Sequence, residues 1–262
     1  MSQASRAAPH EAQTIDEVVE RIDEIIAWSR REQSRIGYFA ALYRGVTLRV
    51  REGILQNRFE DGPLMERLDV TFANRYLEAV ENFRRGERPT ACWSAAFAAA
   101  GSWRPIVLQH LLLGINAHIN LDLGIAAALV CPGDQLPGLR RDFDAINEIL
   151  CAMTDEIQDQ LGKVWPYMRL CDVVGCRTDE AIFNFSLRRA REAAWSLAER
   201  LAPLDREEMA KEIDAADQEV KLLAHLVRHP GILASVALVA VRLAEKNDVS
   251  HVIDILASGE AD

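Results

Sequence analysis

The chain has 262 residues, with 30 Lys and Arg against 40 Asp and Glu, so its formal net charge is −10. That excess of acid excludes a typical duplex-binding surface, which concentrates Lys and Arg to neutralise phosphates, and no nucleic-acid partner is expected. Apolar residues make up 49% and charged residues 27%, enough to bury a core without staples, and five cysteines, an odd number at irregular spacing, predict reduced thiols in a cytoplasmic protein.

Residues 1–13 are small and polar and read as a disordered lead-in without the apolar centre of a secretory signal. Thr14-x-x-Glu17 is a capping box, and Ile15, Val18, Val19, Ile22, Ile25 and Ile26 follow at helical spacing. A second stripe runs through Phe39, Leu42, Tyr43, Val46, Val50 and Ile54. Asp61-Gly62-Pro63 breaks the chain and suits the first turn of a helix carrying Leu68, Phe72, Tyr76, Val80 and Phe83, which stops near Gly86. A short amphipathic piece covers 91–100, and 106–130 is almost wholly apolar. Helical patterns return at about 141–161, 178–202, 205–229 and 231–245, the third opening with Asp205-x-x-Glu208. No sustained alternation of period two appears, so no strand is expected. No run approaches the roughly 20 apolar residues of a membrane span. The expectation is an all-α, irregular bundle of about eight helices around a buried central helix. It forms one domain over 14–262, and 203–205 is where a subdivision would fall.

Chemistry concentrates in Gln109-His110-Leu-Leu-Leu-Gly114-Ile-Asn116-Ala-His118-Ile-Asn120-Leu-Asp122. The remaining positions are apolar on every side, the mark of a helix buried all round, and polar groups inside it must find partners. At 100° per residue His110, Gly114, His118 and Asp122 share one ridge, with Asn116 and Asn120 on another side. Gly114 leaves space on that ridge, either for a ligand or for a closely packed helix. Asp69, on the Leu68/Phe72/Tyr76 helix, and Asp142 are carboxylates from elsewhere that could join His118 and Asp122. Asn147 shares a face with Phe143 and Leu150, and Arg189 follows Ile182 and Phe185 on a stripe from which it could neutralise a buried carboxylate.

The run Leu113-Gly-Ile-Asn-Ala-His-Ile-Asn-Leu-Asp122-Leu resembles the central signature of a bacterial and fungal domain-of-unknown-function family, number 5995. Supporting pieces follow in order: Leu68-Asp-Val-x-Phe-Ala-Asn-Arg-Tyr76, Trp93 in an Ala/Phe-rich helix, Asp142-Phe-Asp-Ala-Ile-Asn147 and Ala190-Arg-Glu-Ala-Ala-Trp195. The resemblance covers about 36–202 and implies a helical fold, with no activity to carry over. His118-x-x-x-Asp122 is also similar to the His-x-x-x-Asp of helical zinc phospholipases and related single-strand nucleases. The six His, at 10, 110, 118, 225, 229 and 251, do not reproduce the further ligands of those enzymes, so one metal at most is expected.

These residues point to a soluble enzyme acting on a small, largely hydrophobic molecule, a secondary metabolite or lipid fragment. In one version His118, Asp122 and Asp69 hold a divalent cation that activates water. In the other, His118 is a general acid/base oriented by Asp122, with Asn116 or Asn120 binding a developing oxyanion. His110, Gly114, Tyr76, Asn147 and Arg189 are the candidates for binding substrate, and hydrolysis, elimination and cyclisation stay open. The rival is a non-catalytic ligand-binding or interaction protein whose His/Asn/Asp set is a structural polar core. His225-x-x-x-His229 has metal-pair spacing but ends a helix before Pro230-Gly231, so capping is the expectation. Cys171 and Cys176 read as loop thiols, and the apolar stretch 232–243 as a core or homo-oligomer-forming helix.

Overall fold

Apolar residues recur at three- and four-residue intervals along the chain, and in the computed structural model these stripes become the buried faces of helices. Residues 11–164, 179–230, 238, 239 and 241–258 are described. Eleven α-helices are found among them and no strand: α1 Ile15–Arg31, α2 Ile36–Leu55, α3 Gly62–Arg84, α4 Ala91–Ala100, α5 Val107–Ala117, α6 Gly124–Val130, α7 Leu136–Ala152, α8 Thr154–Val164, α9 Asp179–Leu201, α10 Arg206–Arg228 and α11 Val249–Ala257. A π-helical segment, His118–Leu123, joins α5 to α6.

The starts and stops follow local chemistry. Thr14 Oγ1 accepts from Glu17 N at 3.2 Å, and Asp61 caps α3 through Leu64 N with Pro63 in the first turn. Asp205 and Glu208 cap α10 reciprocally. Beyond α3, Gly86 adopts φ +74°, a left-handed conformation that glycine reaches without steric cost. Two other helix starts borrow distant carboxylates, and a third distant carboxylate holds the turn before α3. Asp217 of α10 accepts from Ala91 N and Cys92 N at the start of α4, and Glu245 accepts from Val107 N at the start of α5. Asp142 of α7 accepts from Glu60 N and Asp61 N, just before α3.

The central element is the continuous helix Val107–Val130. Its 24 residues and mean hydropathy of 1.4 would suffice to cross a bilayer, contrary to the expectation that no run comes close; 72% of its most apolar stretch is buried within the bundle. Around it α1 packs on α2 and α3, α9 on α6 and the π segment, α10 on α4 and α5, and α11 on α2. Two glycines permit the closest approaches. A Cβ on Gly114 would lie 2.4 Å from the Phe39 ring, and one on Gly124 would lie 2.6 Å from the Ala194 carbonyl oxygen.

The helix count exceeds eight for identifiable reasons. The pattern assigned to 141–161 begins at Leu136 and splits between Ala152 and Thr154. The short α11 is announced by Asp248, whose side chain accepts from His251 N. The lead-in assigned to 1–13 ends early: Ala12 is buried and exchanges two hydrogen bonds with the Asn74 side chain. Most of 232–243, together with Cys171 and Cys176, lies outside the described residues.

Two substitutions test the packing. Gly114→Ala forces a methyl into Phe39 and should cost about 1–3 kcal/mol by urea unfolding, the usual range for overpacking. Gly138→Ala, at an exposed helical position with nothing within 4 Å, should stabilise by roughly 0.4–1 kcal/mol through the unfolded chain.

Candidate functional site

The ridge of the central helix meets its partners at Asp122. This carboxylate is 1% exposed and lies in the π segment with His118. Three donors converge on it. Arg75 Nε of α3 reaches Oδ1 at 2.8 Å, Trp93 Nε1 of α4 reaches Oδ2 at 2.8 Å, and His118 Nδ1 lies 3.2 Å from Oδ2. Burial pushes the Asp122 acid upward, but Arg75 and the hydrogen bonds from His118 and Trp93 outweigh it and hold the group below the ordinary carboxylate range. Burial dominates at His118, depressing its basicity against the opposite pull of Asp122. The resting pair is therefore a carboxylate, balanced by Arg75, beside a neutral imidazole. Because an ionised carboxylate only accepts, Nδ1 carries the imidazole proton and Nε2 holds the lone pair.

Nε2 has no hydrogen-bond partner among the described residues. The ring stacks on Phe72, centroids 3.6 Å apart and planes 10° apart, and meets the edge of Tyr43 at 4.5 Å. Phe39, Tyr76 and Trp93 complete an aromatic box, their ring centres 5.7 to 6.0 Å from that of the imidazole. The Tyr76 hydroxyl, buried and raised far above the usual phenol range by that burial, also lacks a partner among the described residues.

Phe39, Tyr76 and Trp93 also line a cavity of about 20 Å³, room for one water molecule. Arg35, His110 and Gly114 line it too, with Ile36, Ala96, Phe97 and Ala100. His110 Nε2 is a second buried ring nitrogen without a partner among the described residues; burial first, then Arg35 and Arg242, lower that histidine to about 3. The structure thus brings His110, Gly114 and Tyr76 to one cavity, sharing an aromatic wall with His118. The approach permitted by Gly114 is that of Phe39.

Other expected members lie elsewhere. Asn116 Nδ2 donates to the Val220 carbonyl of α10 and Asn120 Nδ2 donates to Asn116 Oδ1, so this pair ties the central helix to α10 and does not face His118 as an oxyanion hole would. Asn147 is half-buried on α7, and Arg189 is exposed on α9. The buried guanidinium of α9 is Arg191, in phase with Ala194, Trp195 and Ala198, lying over the Phe143 ring and donating to the Phe143 carbonyl. The expected cation site does not suit a cation: Asp122 is already neutralised by Arg75, and no three His, Cys, Asp or Glu among the described residues are placed to hold a metal ion. Asp69 makes no hydrogen bond to His118 or Asp122; its neighbours in charge are Glu66 and the Tyr43 phenol. Arg75 and Trp93 are the members that spacing arguments missed, although both fall inside the quoted family motifs.

Comparison with known families returns a family of unknown function, DUF5995, matching residues 15–230. The chain belongs to that family. No curated protein and no solved structure matches it.

Two variants probe this charge arrangement. Arg75→Met strands a buried carboxylate and should destabilise the fold by about 3–5 kcal/mol in denaturant unfolding. Asp69 is raised from 3.8 to about 7 by burial and then by Glu66. The folded state keeps its proton while the unfolded state releases it, so the cost of this group grows as pH rises from about 4 to 7. Asp69→Asn should therefore raise Tm at pH 8 and change it little at pH 4.

Proposed function

We propose that the protein is an acid/base enzyme acting on a small, largely hydrophobic molecule, with His118 as the proton-transfer group and Asp122 as the group that orients it. The observation that carries this reading is the contact between His118 Nδ1 and Asp122, from which the tautomer follows. Asp122, kept ionised by Arg75, holds the proton on Nδ1 and leaves a neutral, unshared lone pair on Nε2 inside an aromatic box. A neutral imidazole oriented by a carboxylate is poised to take a proton, and the resulting imidazolium is stabilised by the same carboxylate. The aromatic walls favour an apolar substrate. The Tyr76 hydroxyl, without a partner among the described residues, would donate to an oxygen of that substrate. The proton on Nε2 then returns to a leaving group or to another position of the substrate, as hydrolysis, elimination and cyclisation each require.

One observation favours the rival, a non-catalytic binding or interaction protein. His118 is 2% exposed and Asp122 1%, as in a polar core that sets helix register.

A panel of apolar esters, lactones and hydroxylated ring compounds, screened by thermal shift and then by mass detection of products, separates the two. The enzyme reading expects a ligand that raises Tm in wild type and in His118→Gln but is turned over by wild type alone. Its rate should stay level as pH falls through about 6.5, because the depressed His118 remains neutral there. Turnover that survives His118→Gln in a folded protein overturns the role of His118, and a panel that yields binding without product assigns the rival reading.

A further inference from the structure

The exposed end of α10 carries a second histidine arrangement, remote in sequence from the central helix. His225 and His229 are both exposed, four residues apart on one face, with ring centroids 4.7 Å apart. Capping by these rings was the expectation. Instead the backbone closes the helix, His229 N–H donating to the His225 carbonyl at 2.9 Å, and neither ring hydrogen-bonds a carbonyl among the described residues. The two ring planes are tilted by 47° to each other. Metal–nitrogen bonds run about 2.0–2.1 Å, so two rings this close can each turn a nitrogen onto one ion. Position adds to this, since the negative end of a helix dipole favours a cation.

Two imidazoles do not complete a zinc site, which takes four ligands in a tetrahedron. The local chain supplies no others. Residues 220–228 contain no Asp, Glu or Cys. After His229 the next His, Cys, Asp or Glu is Glu245, already spent on Val107 N. No group of three such residues among the described ones is placed to hold an ion. Lys221 and Arg228 flank His225 at i−4 and i+3, and two leucines adjoin the pair. Leu222 and Leu226 share its face at three- and four-residue spacing and are 68% and 62% exposed, uncommon for large aliphatic side chains on a charged helix.

We propose that His225 and His229 form half of a zinc site that a second copy of this chain completes. Two α10 ends meet about a two-fold axis, four imidazoles share one ion, and Leu222 and Leu226 pack against their counterparts. A two-fold interface is self-complementary by construction, so one patch provides both halves. The net charge of −10 opposes self-association, and the divalent ion at the contact offsets part of that repulsion. The site is independent of the His118 reading.

Sedimentation velocity of the full chain, in zinc chloride and then in EDTA, gives the test, with bound zinc counted by elemental analysis. The expected result is a monomer in EDTA and a dimer in zinc at one zinc per two chains. His225→Ala and His229→Ala should each weaken zinc-driven dimerisation at least tenfold while leaving the far-ultraviolet circular dichroism unchanged. Leu226→Lys should weaken the dimer with both histidines in place. A mass that is the same in zinc and EDTA overturns the proposal, as does one zinc per chain or zinc-driven dimerisation that persists in His225→Ala.

Discussion

The arrangement of the bundle turns on one buried negative charge. Asp122 sits where α3, α4 and the π segment converge, and each supplies a donor to it: Arg75, Trp93 and His118. A carboxylate withdrawn from water costs several kcal/mol unless its oxygens are filled and its charge balanced. Filling them here requires three side chains from three elements to arrive together. The aromatic residues around His118 can slide on one another with little loss of energy, but the bonds to Asp122 cannot. Any shift of the central helix that broke these bonds would leave the carboxylate buried and unbalanced.

The same bonds also prepare the imidazole. Arg75 keeps Asp122 ionised, Asp122 fixes the His118 tautomer, and the stacked Phe72 ring fixes its plane. Structural and chemical roles are not alternatives at the level of these contacts. They differ only in whether anything reaches Nε2. The π turn belongs to this picture: wide turns inside α-helices recur at functional sites, and this one begins at His118 and includes Asp122.

Much of this was legible in the sequence, and the boundary is physical. Stripes such as Ile15 to Ile26, and the caps at Thr14, Asp61 and Asp205, encode helices because both signals act within a few residues. The His118–Asp122 pair was legible for the same reason. Arg75 stands 47 residues before Asp122 and Trp93 stands 29 before it, beyond the reach of any periodicity. A carboxylate beside a histidine reads alike whether a metal ion or a guanidinium balances it, so the cation expectation arose from the missing arginine. Arg189 and Arg191 differ by 200° of helical phase, and the stripe drawn through Ile182 and Phe185 chose the exposed one. The π segment was invisible because a fixed 100° step presumes the α-helix it replaces.

The borrowed caps bear on how this chain acquires its structure during synthesis. Thr90 and Ile106, which precede α4 and α5, make no side-chain capping bond of their own to a backbone N–H, and those ends are closed by Asp217 and Glu245, 126 and 138 residues downstream. A ribosome adds roughly 5–20 residues per second, so α4 lacks Asp217 and α5, held meanwhile only by Gln109 on Ile106 N, lacks Glu245 for several seconds or more after α5 has been made. Meanwhile the long apolar helix Val107–Val130 has nothing to bury its α10-facing side. The first half of the chain therefore cannot settle as a finished unit ahead of the second. A nascent chain halted before Asp217 would present the 107–130 helix to whatever chaperone or membrane surface stands nearest.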